Sequence, residues 1–216
     1  MKISYAITVK DEFEEIQRLI PFLLEHKREE DEIIILWDDN GNKDVWNFLQ
    51  QNYQFTPNYD CIKLIKNKFN NHFAEWKNKL TEYCTGNYIF NIDADELPSQ
   101  YMMEILPNIL KEYPNLDLIL IPRINTVEGL TVGHIKQWGW NVNKDNWINY
   151  PDCQMRIYRN SPNIKWVNQV HERLEGFKEY TTIVDPMYAL IHHKTIERQE
   201  RQNKFYETIG SNTSLN

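Results

Sequence analysis

Glycine is scarce in this chain of 216 residues: there are seven, and none precedes Gly41. A glycine-rich loop after the first strand, the usual cradle for a triphosphate, is therefore excluded. Cysteine is scarcer still. Cys61, Cys84 and Cys153 are odd in number, widely separated and without metal-type spacing, which excludes a disulfide framework or a zinc site as the organising device and fits a reducing cytoplasm. No apolar run approaches the roughly 20 residues of a membrane-spanning helix. Met1 leads straight into a strand-like run with no signal-peptide core, so membrane contact is expected to be peripheral. Positive charge is not in excess: the formal net charge of −7 argues against a grip on nucleic acid through overall electrostatics. Repeats and low-complexity segments are absent.

What is present is the material of one globular domain with a sizeable core, at 41% hydrophobic and 25% charged residues. Residues 3–9 read as a strand. Phe13, Ile16, Ile20 and Leu23 then keep helical spacing, with Pro21 predicting a kink or a division into two short helices. Ile33 to Trp37 is apolar at every position, as in a parallel strand covered on both faces. Lys43 to about Tyr53 reads as a second helix and Cys61 to Ile65 as a third strand. A third helix carries Phe73, Trp76 and Leu80, with Asn71 as its expected cap and Thr85-Gly86 as its stop. A strand over 88–92, a helix from about Ser99 to Lys111 and a strand over 116–121 follow. This alternation predicts a doubly wound, mainly parallel α/β sheet.

The chain is organised around Asn87-Tyr88-Ile89-Phe90-Asn91-Ile92-Asp93-Ala94-Asp95-Glu96, an apolar run ending abruptly in three carboxylates. Residues two apart on a strand face the same way, so Asp93 and Asp95 share one site if the extended geometry persists. Hard oxygen ligands so placed suit Mg²⁺ or Mn²⁺, and the end of a strand in an open α/β sheet is where ligands bind. The bland alternative is a solvated strand end. Asp38 and Asp39 close the second strand in the same manner, as nucleotide contacts or as an Asx-turn before Gly41.

After Pro122 the texture changes, with Trp138, Trp140, Trp147, Tyr150 and Trp166 in a region of few aliphatic runs. Sugar faces pack on aromatic rings, although core packing is the commoner role of a single tryptophan. A short strand then ends in His192-His193. A charged segment from Lys194 to about Ile209 reads as helix, with Ile196, Phe205 and Ile209 as its sparse apolar contacts, and Gly210 to Asn216 as a frayed tail.

These blocks, in this order, resemble the family 2 glycosyltransferases of the GT-A fold, in particular the subgroup of lipopolysaccharide-core and viral transferases. Ile3 to Glu15 is similar to the family's opening strand, and Ile33 to Asp39 to its nucleotide-contacting strand. Asn87 to Glu96 is similar to the Asp-x-Asp metal strand. Tyr150 to Arg159 resembles the acceptor-side motif, Trp166 to Glu172 its Val-His-Glu companion, and Ile191 to Lys194 the late histidine motif.

The resemblance implies a single GT-A domain: a nucleotide-sugar half over about 1–97, an acceptor half over about 98–193, and a C-terminal helix and tail over 194–216. It implies Val9, Asp38, Asp39, Asp93 and Lys194 as contacts of a nucleotide-diphosphate sugar, a UDP-sugar being favoured. Asp93, Asp95 and His192 are the implied ligands of Mn²⁺ or Mg²⁺, with imidazole favouring Mn²⁺; a one-residue slip substitutes His193. Asp152 is the candidate general base of an inverting transfer and Glu172 its runner-up, each with a cap or a salt bridge as its bland alternative. Arg156, Arg159 and Arg198 are possible phosphate partners or solvated charges. A glycan or glycolipid is the expected acceptor, and DNA is not. The competing readings are a sugar-nucleotide nucleotidyltransferase, which the missing glycine loop opposes, a silent glycan- or nucleotide-binding module, and a viral transferase acting on DNA bases.

Overall fold

The computed structural model describes residues 1–54 and 59–213, except the side chains of 206, 207 and 209–213. Strand β1 (Ile3–Val9) leads into helix α1 (Phe13–His26), β2 (Glu32–Asp38) and α2 (Lys43–Leu49). Then come β3 (Ile62–Asn67), α3 (Phe73–Thr81), β4 (Tyr88–Asp93), β5 (Glu96–Pro98) and α4 (Gln100–Glu112). The second half holds β6 (Leu118–Glu128), α5 (Val132–Trp138), β7 (Ile148–Arg159), β8 (Lys165–Val167), β9 (Arg173–Glu175) and β10 (Tyr180–Thr182). It closes with β11 (Leu190–Thr195) and α6 (Ile196–Thr213).

Among the described residues the main sheet runs β3-β2-β1-β4-β7-β6-β11-β5, with β10 beside β6. The first four strands are parallel, as the alternation predicts. β7 then enters antiparallel between β4 and β6, while β11 lies parallel to β6. Strand order turns back at β1 and β4, the position where an open α/β sheet leaves a crevice beyond its carboxyl ends.

Side-chain alternation on the central strands divides the core. Tyr5, Ile7, Ile33, Ile35 and Trp37 pack on one side with Ile16, Leu19, Ile20 and Leu23 of α1 and Met102 and Leu106 of α4. Ala6, Ile34 and Leu36 face the other side, against Ala74, Trp76 and Leu80 of α3 and Trp166 of β8. Gly41 joins two loops at the rim of the crevice, because a Cβ there would lie 2.5 Å from the Lys10 carbonyl oxygen.

Several local expectations change. α1 runs unbroken through Pro21; the residue is exposed, and the buried apolar face holds the helix across the lost hydrogen bond. The second helix ends at Leu49 and continues as a π-helical turn over Gln50–Gln54. His72, not Asn71, caps α3, its ring accepting from the Glu75 N–H at 3.2 Å, while Asn71 takes a left-handed φ of 58°. α3 ends at Thr81, before Thr85-Gly86. β6 continues past Pro122, which falls between the residues paired with β10 and those paired with β11. α6 extends to Thr213, so the expected tail is helical as far as it is described; residues 214–216 and the Ile209 side chain lie outside the described parts. No helix among the described residues is long and apolar enough to cross a membrane.

At the other end of the sheet, Glu32 ties three segments together. Its carboxylate accepts from Lys2 Nζ at 2.6 Å, Ser4 Oγ at 2.5 Å and the Thr85 N–H at 2.6 Å. Burial opposes ionisation, but these donors outweigh it and pull the carboxyl down to about 2. A depressed carboxyl contributes stability that is full above its unfolded value of about 4.3 and lost as pH falls through the folded one. Glu32→Gln should therefore cost about 1–3 kcal/mol at neutral pH, a deficit that shrinks toward pH 2. Urea denaturation across that range measures it.

Candidate active site

The crevice beyond β1, β2 and β4 is a cleft of about 1060 Å³. Val9, Asp38, Asp93 and Asp95 line it from the first half, and Asp152, Glu172, His192, Lys194 and Arg198 from the second. A second cavity, of about 720 Å³, lies by Tyr88 and Arg159 at the opposite strand ends and contains no carboxylate or imidazole.

Asp93 ends β4, and Ala94-Asp95 form a turn before β5. The two acids thus reach one cleft through a turn rather than through strand alternation. Asp93 sits opposite Thr8 in the sheet, whose hydroxyl approaches its Oδ1 at 3.3 Å. Arg156, at 3% exposure, donates one terminal nitrogen to Asp93 Oδ2 at 2.7 Å and to Glu96 Oε1 at 2.5 Å. Burial opposes the charge on Asp93, but Arg156 and Lys77 overcome it and hold the carboxyl well below the usual range. Arg156 Nε is the only buried side-chain nitrogen or oxygen among the described residues without a partner, so the guanidinium is held through its terminal nitrogens.

Asp95 is ringed by nitrogen groups, two of them on fixed cations. Its Oδ2 lies 3.2 Å from His192 Nε2, 3.3 Å from Arg198 Nη2 and 3.6 Å from Lys194 Nζ. Burial again works against ionisation, and the neighbouring His192 ring with the charges of Lys194 and Arg198 lowers the carboxyl far below its ordinary value. Strand alternation buries His192 and exposes His193, which bonds Thr126 instead. Lys194 is buried too, and burial pushes its ammonium below the usual lysine range against the pull of Asp95. Arg198 also reaches back to Glu12 and Glu15 of α1.

Among the described residues no three His, Cys, Asp or Glu side chains cluster to enclose a metal. The Asp95 carboxylate and His192 imidazole nevertheless converge, one from the turn between β4 and β5 and the other from β11. One hard oxygen and one borderline nitrogen fit a divalent cation that takes its remaining ligands from substrate and water, and Mn²⁺ suits that pair better than Mg²⁺.

The two candidate bases differ in their surroundings. Asp152 Oδ2 accepts from Arg123 Nε at 2.9 Å and Nη2 at 2.7 Å and from Asn125 Nδ2 at 2.8 Å, while Oδ1 accepts from Gln154 at 2.6 Å. Burial raises its carboxyl, Arg123 more than offsets that, and the result lies below the ordinary range. Glu172 instead has Lys77 Nζ at 2.7 Å. Lys77 is 4% exposed, also sits 3.6 Å from Asp93 and lies 4.6 Å above the Trp166 ring. Asn78 pairs with the Trp166 backbone in both directions, at 2.8 and 3.0 Å, which ties the loop leading to Glu172 onto α3. In that loop Asn168 and His171 have φ values of 75° and 53°.

Asp38 is buried and lines the cleft, its Oδ1 accepting from the Asn40 and Phe69 N–H groups at 3.0 and 3.1 Å. Asp39 is not among the lining residues and pairs with Lys43 and Lys66. Arg159 pairs with Asp117 far from the cleft acids. Trp138 stacks on His134 and contacts Trp140, which lines the cleft; Trp166 also lines it while packing in the core.

The model of glycosyl transferase family 2 matches residues 4–180. The chain belongs to that family. No curated protein sequence matches it. In three dimensions it is similar to the S. aureus TarS fragment 1–349, with a TM-score of 0.62 at 15% identity over 89% of this chain and 60% of that one. The same fragment in complex with UDP-GlcNAc gives 0.62 at 14% identity over 90% and 59%, and longer TarS gives 0.60 at 16% over 96% and 38%. The chain thus spans less than two thirds of these structures. At such identity the likeness shows the fold, which is GT-A: a mixed, mostly parallel sheet flanked by helices.

For a family 2 glycosyltransferase, sequence reasoning missed Lys77, Arg123 and Asn125. Each is a single polar residue in a polar neighbourhood, and only long-range pairing across β6, β7 and α3 reveals its place. Removing one partner of a buried pair leaves a charge uncompensated, which costs about 3–5 kcal/mol. Arg156→Met is expected to lower stability by that amount, with Asp93 and Glu96 left facing each other, and equilibrium urea unfolding tests it.

Proposed function

We propose that this family 2 domain transfers a glycosyl group from a nucleotide-diphosphate sugar, a UDP-sugar being favoured, to a hydroxyl of a glycan or glycolipid acceptor. The observation that carries the reading is the placement in one cleft of Asp95 with His192, Lys194 and Arg198. A carboxylate and imidazole suited to a cation stand among fixed cations suited to a polyanion.

Asp38 and Val9 hold the nucleoside end, and the segment over about 1–97 is the donor half. Lys194 and Arg198 meet the diphosphate. Asp95 and His192, with Asp93 behind them, would hold Mn²⁺ or Mg²⁺, which when bound supplies Lewis-acid neutralisation of charge on the departing diphosphate. Glu172 is the better base, because every oxygen of Asp152 already accepts strong hydrogen bonds, whereas Glu172 pairs with Lys77 through Oε1. The acceptor oxygen bonds to the anomeric carbon as the carbon–oxygen bond to phosphate breaks. The electron pair leaves with the nucleoside diphosphate, and the acceptor proton passes to Glu172. Attack from the face opposite the leaving group makes the transfer inverting. The motif blocks at 150–159, 166–172 and 191–194 support placement in the lipopolysaccharide-core subgroup, and three free cysteines support a cytoplasmic setting.

The test is hydrolysis and binding of UDP-, GDP-, CMP- and dTDP-sugars with Mn²⁺, with Mg²⁺ and with chelator. Turnover or binding selective for one nucleotide, lost with chelator and in Asp95→Ala, is expected. Glu172→Gln should keep donor affinity while turnover falls about 10²–10⁴-fold, the usual contribution of a general base. A folded protein that binds none of the four under any metal condition would falsify the assignment. Binding without turnover for every donor would instead favour a silent binding module.

A further inference from the structure

Three adjacent strands place His192, Asn125 and Asp152 in a row across the floor of the cleft. His192 of β11 is registered opposite Asn125 of β6, and Asp152 of β7 opposite Arg123, two residues earlier on β6. We propose that Asn125 is a positioning residue that fixes the tautomer of His192, so that the ring presents an unprotonated Nε2 beside Asp95. The inference rests on the reading of Asp95 and His192 as the protein ligands of a divalent cation.

The direction of each hydrogen bond follows from what each group can do. Ionised Asp152 only accepts, and the two Arg123 contacts on its Oδ2 keep it ionised. The end of Asn125 facing it at 2.8 Å must therefore be the amide nitrogen. That leaves Asn125 Oδ1 toward His192 Nδ1, 2.6 Å away. A carbonyl oxygen cannot donate, so Nδ1 carries the proton. A neutral imidazole has one proton, and Nε2 is then bare.

This bare nitrogen faces Asp95 Oδ2 at 3.2 Å. Two lone pairs at that separation repel unless positive charge lies with them. Lys194 and Arg198 supply part of that charge from the side of the carboxylate. A divalent cation held by Asp95 and His192 would supply the rest, and the hydrogen bond behind Nδ1 would make Nε2 a better ligand. Asp152 thus acts at one remove, by setting which way the Asn125 amide is turned.

The experiment has two independent readouts. Long-range ¹H–¹⁵N NMR of the metal-free protein in mildly alkaline buffer reports the tautomer of His192. Mn²⁺ titration followed by EPR, with UDP present, reports affinity. The wild type is expected to show the Nδ1–H tautomer. Asn125→Leu should lose it and bind Mn²⁺ about 10–100-fold more weakly, the usual effect of removing a group behind a ligating histidine. Asn125→Ser serves if the leucine variant does not fold. An Nε2–H or doubly protonated ring in the wild type overturns the proposal, as does an Asn125 variant with unchanged tautomer and Mn²⁺ affinity. Wild-type protein whose Mn²⁺ binding is absent, or insensitive to Asp95→Ala, defeats the ligand reading on which the inference rests, while the NMR still decides the role of Asn125.

Discussion

The structure depends on one buried guanidinium. Arg156 sits beneath the strand ends where Asp93 and Glu96 emerge, and it touches both. Burying any of these charges alone would be prohibitive, and together they are tolerable only in a narrow geometry. That geometry requires β7 to lie antiparallel beside β4, and the turn at Ala94-Asp95 to fold back so that Glu96 enters β5. Arg123 repeats the device one strand further on, joining Glu96 to Asp152. The GT-A sheet of this family 2 domain is thus joined across its parallel and antiparallel halves by ion pairs as well as by the ladder.

The apolar core does a different task. It fixes the parallel strands from both faces, so that Asp93, Val9 and Asp38 arrive at the rim in successive steps of the register. The loops there are short and locked: Gly41 rests on the Lys10 carbonyl, and Asn42 N–H bonds Asp11. Precision at the rim comes from packing below it.

Much of this was legible in the chain. The uninterrupted apolar runs at 3–9, 33–37 and 88–92 could only be buried strands, and the acids after them had to stand at a strand end. Their partners were not legible. Lys77 has the spacing of a solvated helical charge, yet it is buried because Trp166 and Glu172, about ninety residues away, close over it. Asn125 means nothing until β11 lies beside β6. The expected sharing of a face by Asp93 and Asp95 assumed continued extension, whereas the pull of Arg156 on Glu96 favours a turn between them. Pro21 suggested a kink or a division into two short helices, yet α1 stays one helix because the buried Ile16, Leu19, Ile20 and Leu23 hold it to the sheet. Local pattern identified the elements, and charge pairing across the sheet decided the site.

The burial of Lys194 among carboxylates has a further consequence for molecular recognition. Its ammonium sheds most of its water when the chain folds, not when a ligand arrives. On the proposed reading, an incoming diphosphate would meet an oriented, largely dehydrated charge and displace an internal partner, so that association would be an exchange of counter-ions within a fixed frame. Little solvent has to reorganise around that lysine at the moment of reaction. On that reading, discrimination then falls on the geometry of the anion rather than on its net charge.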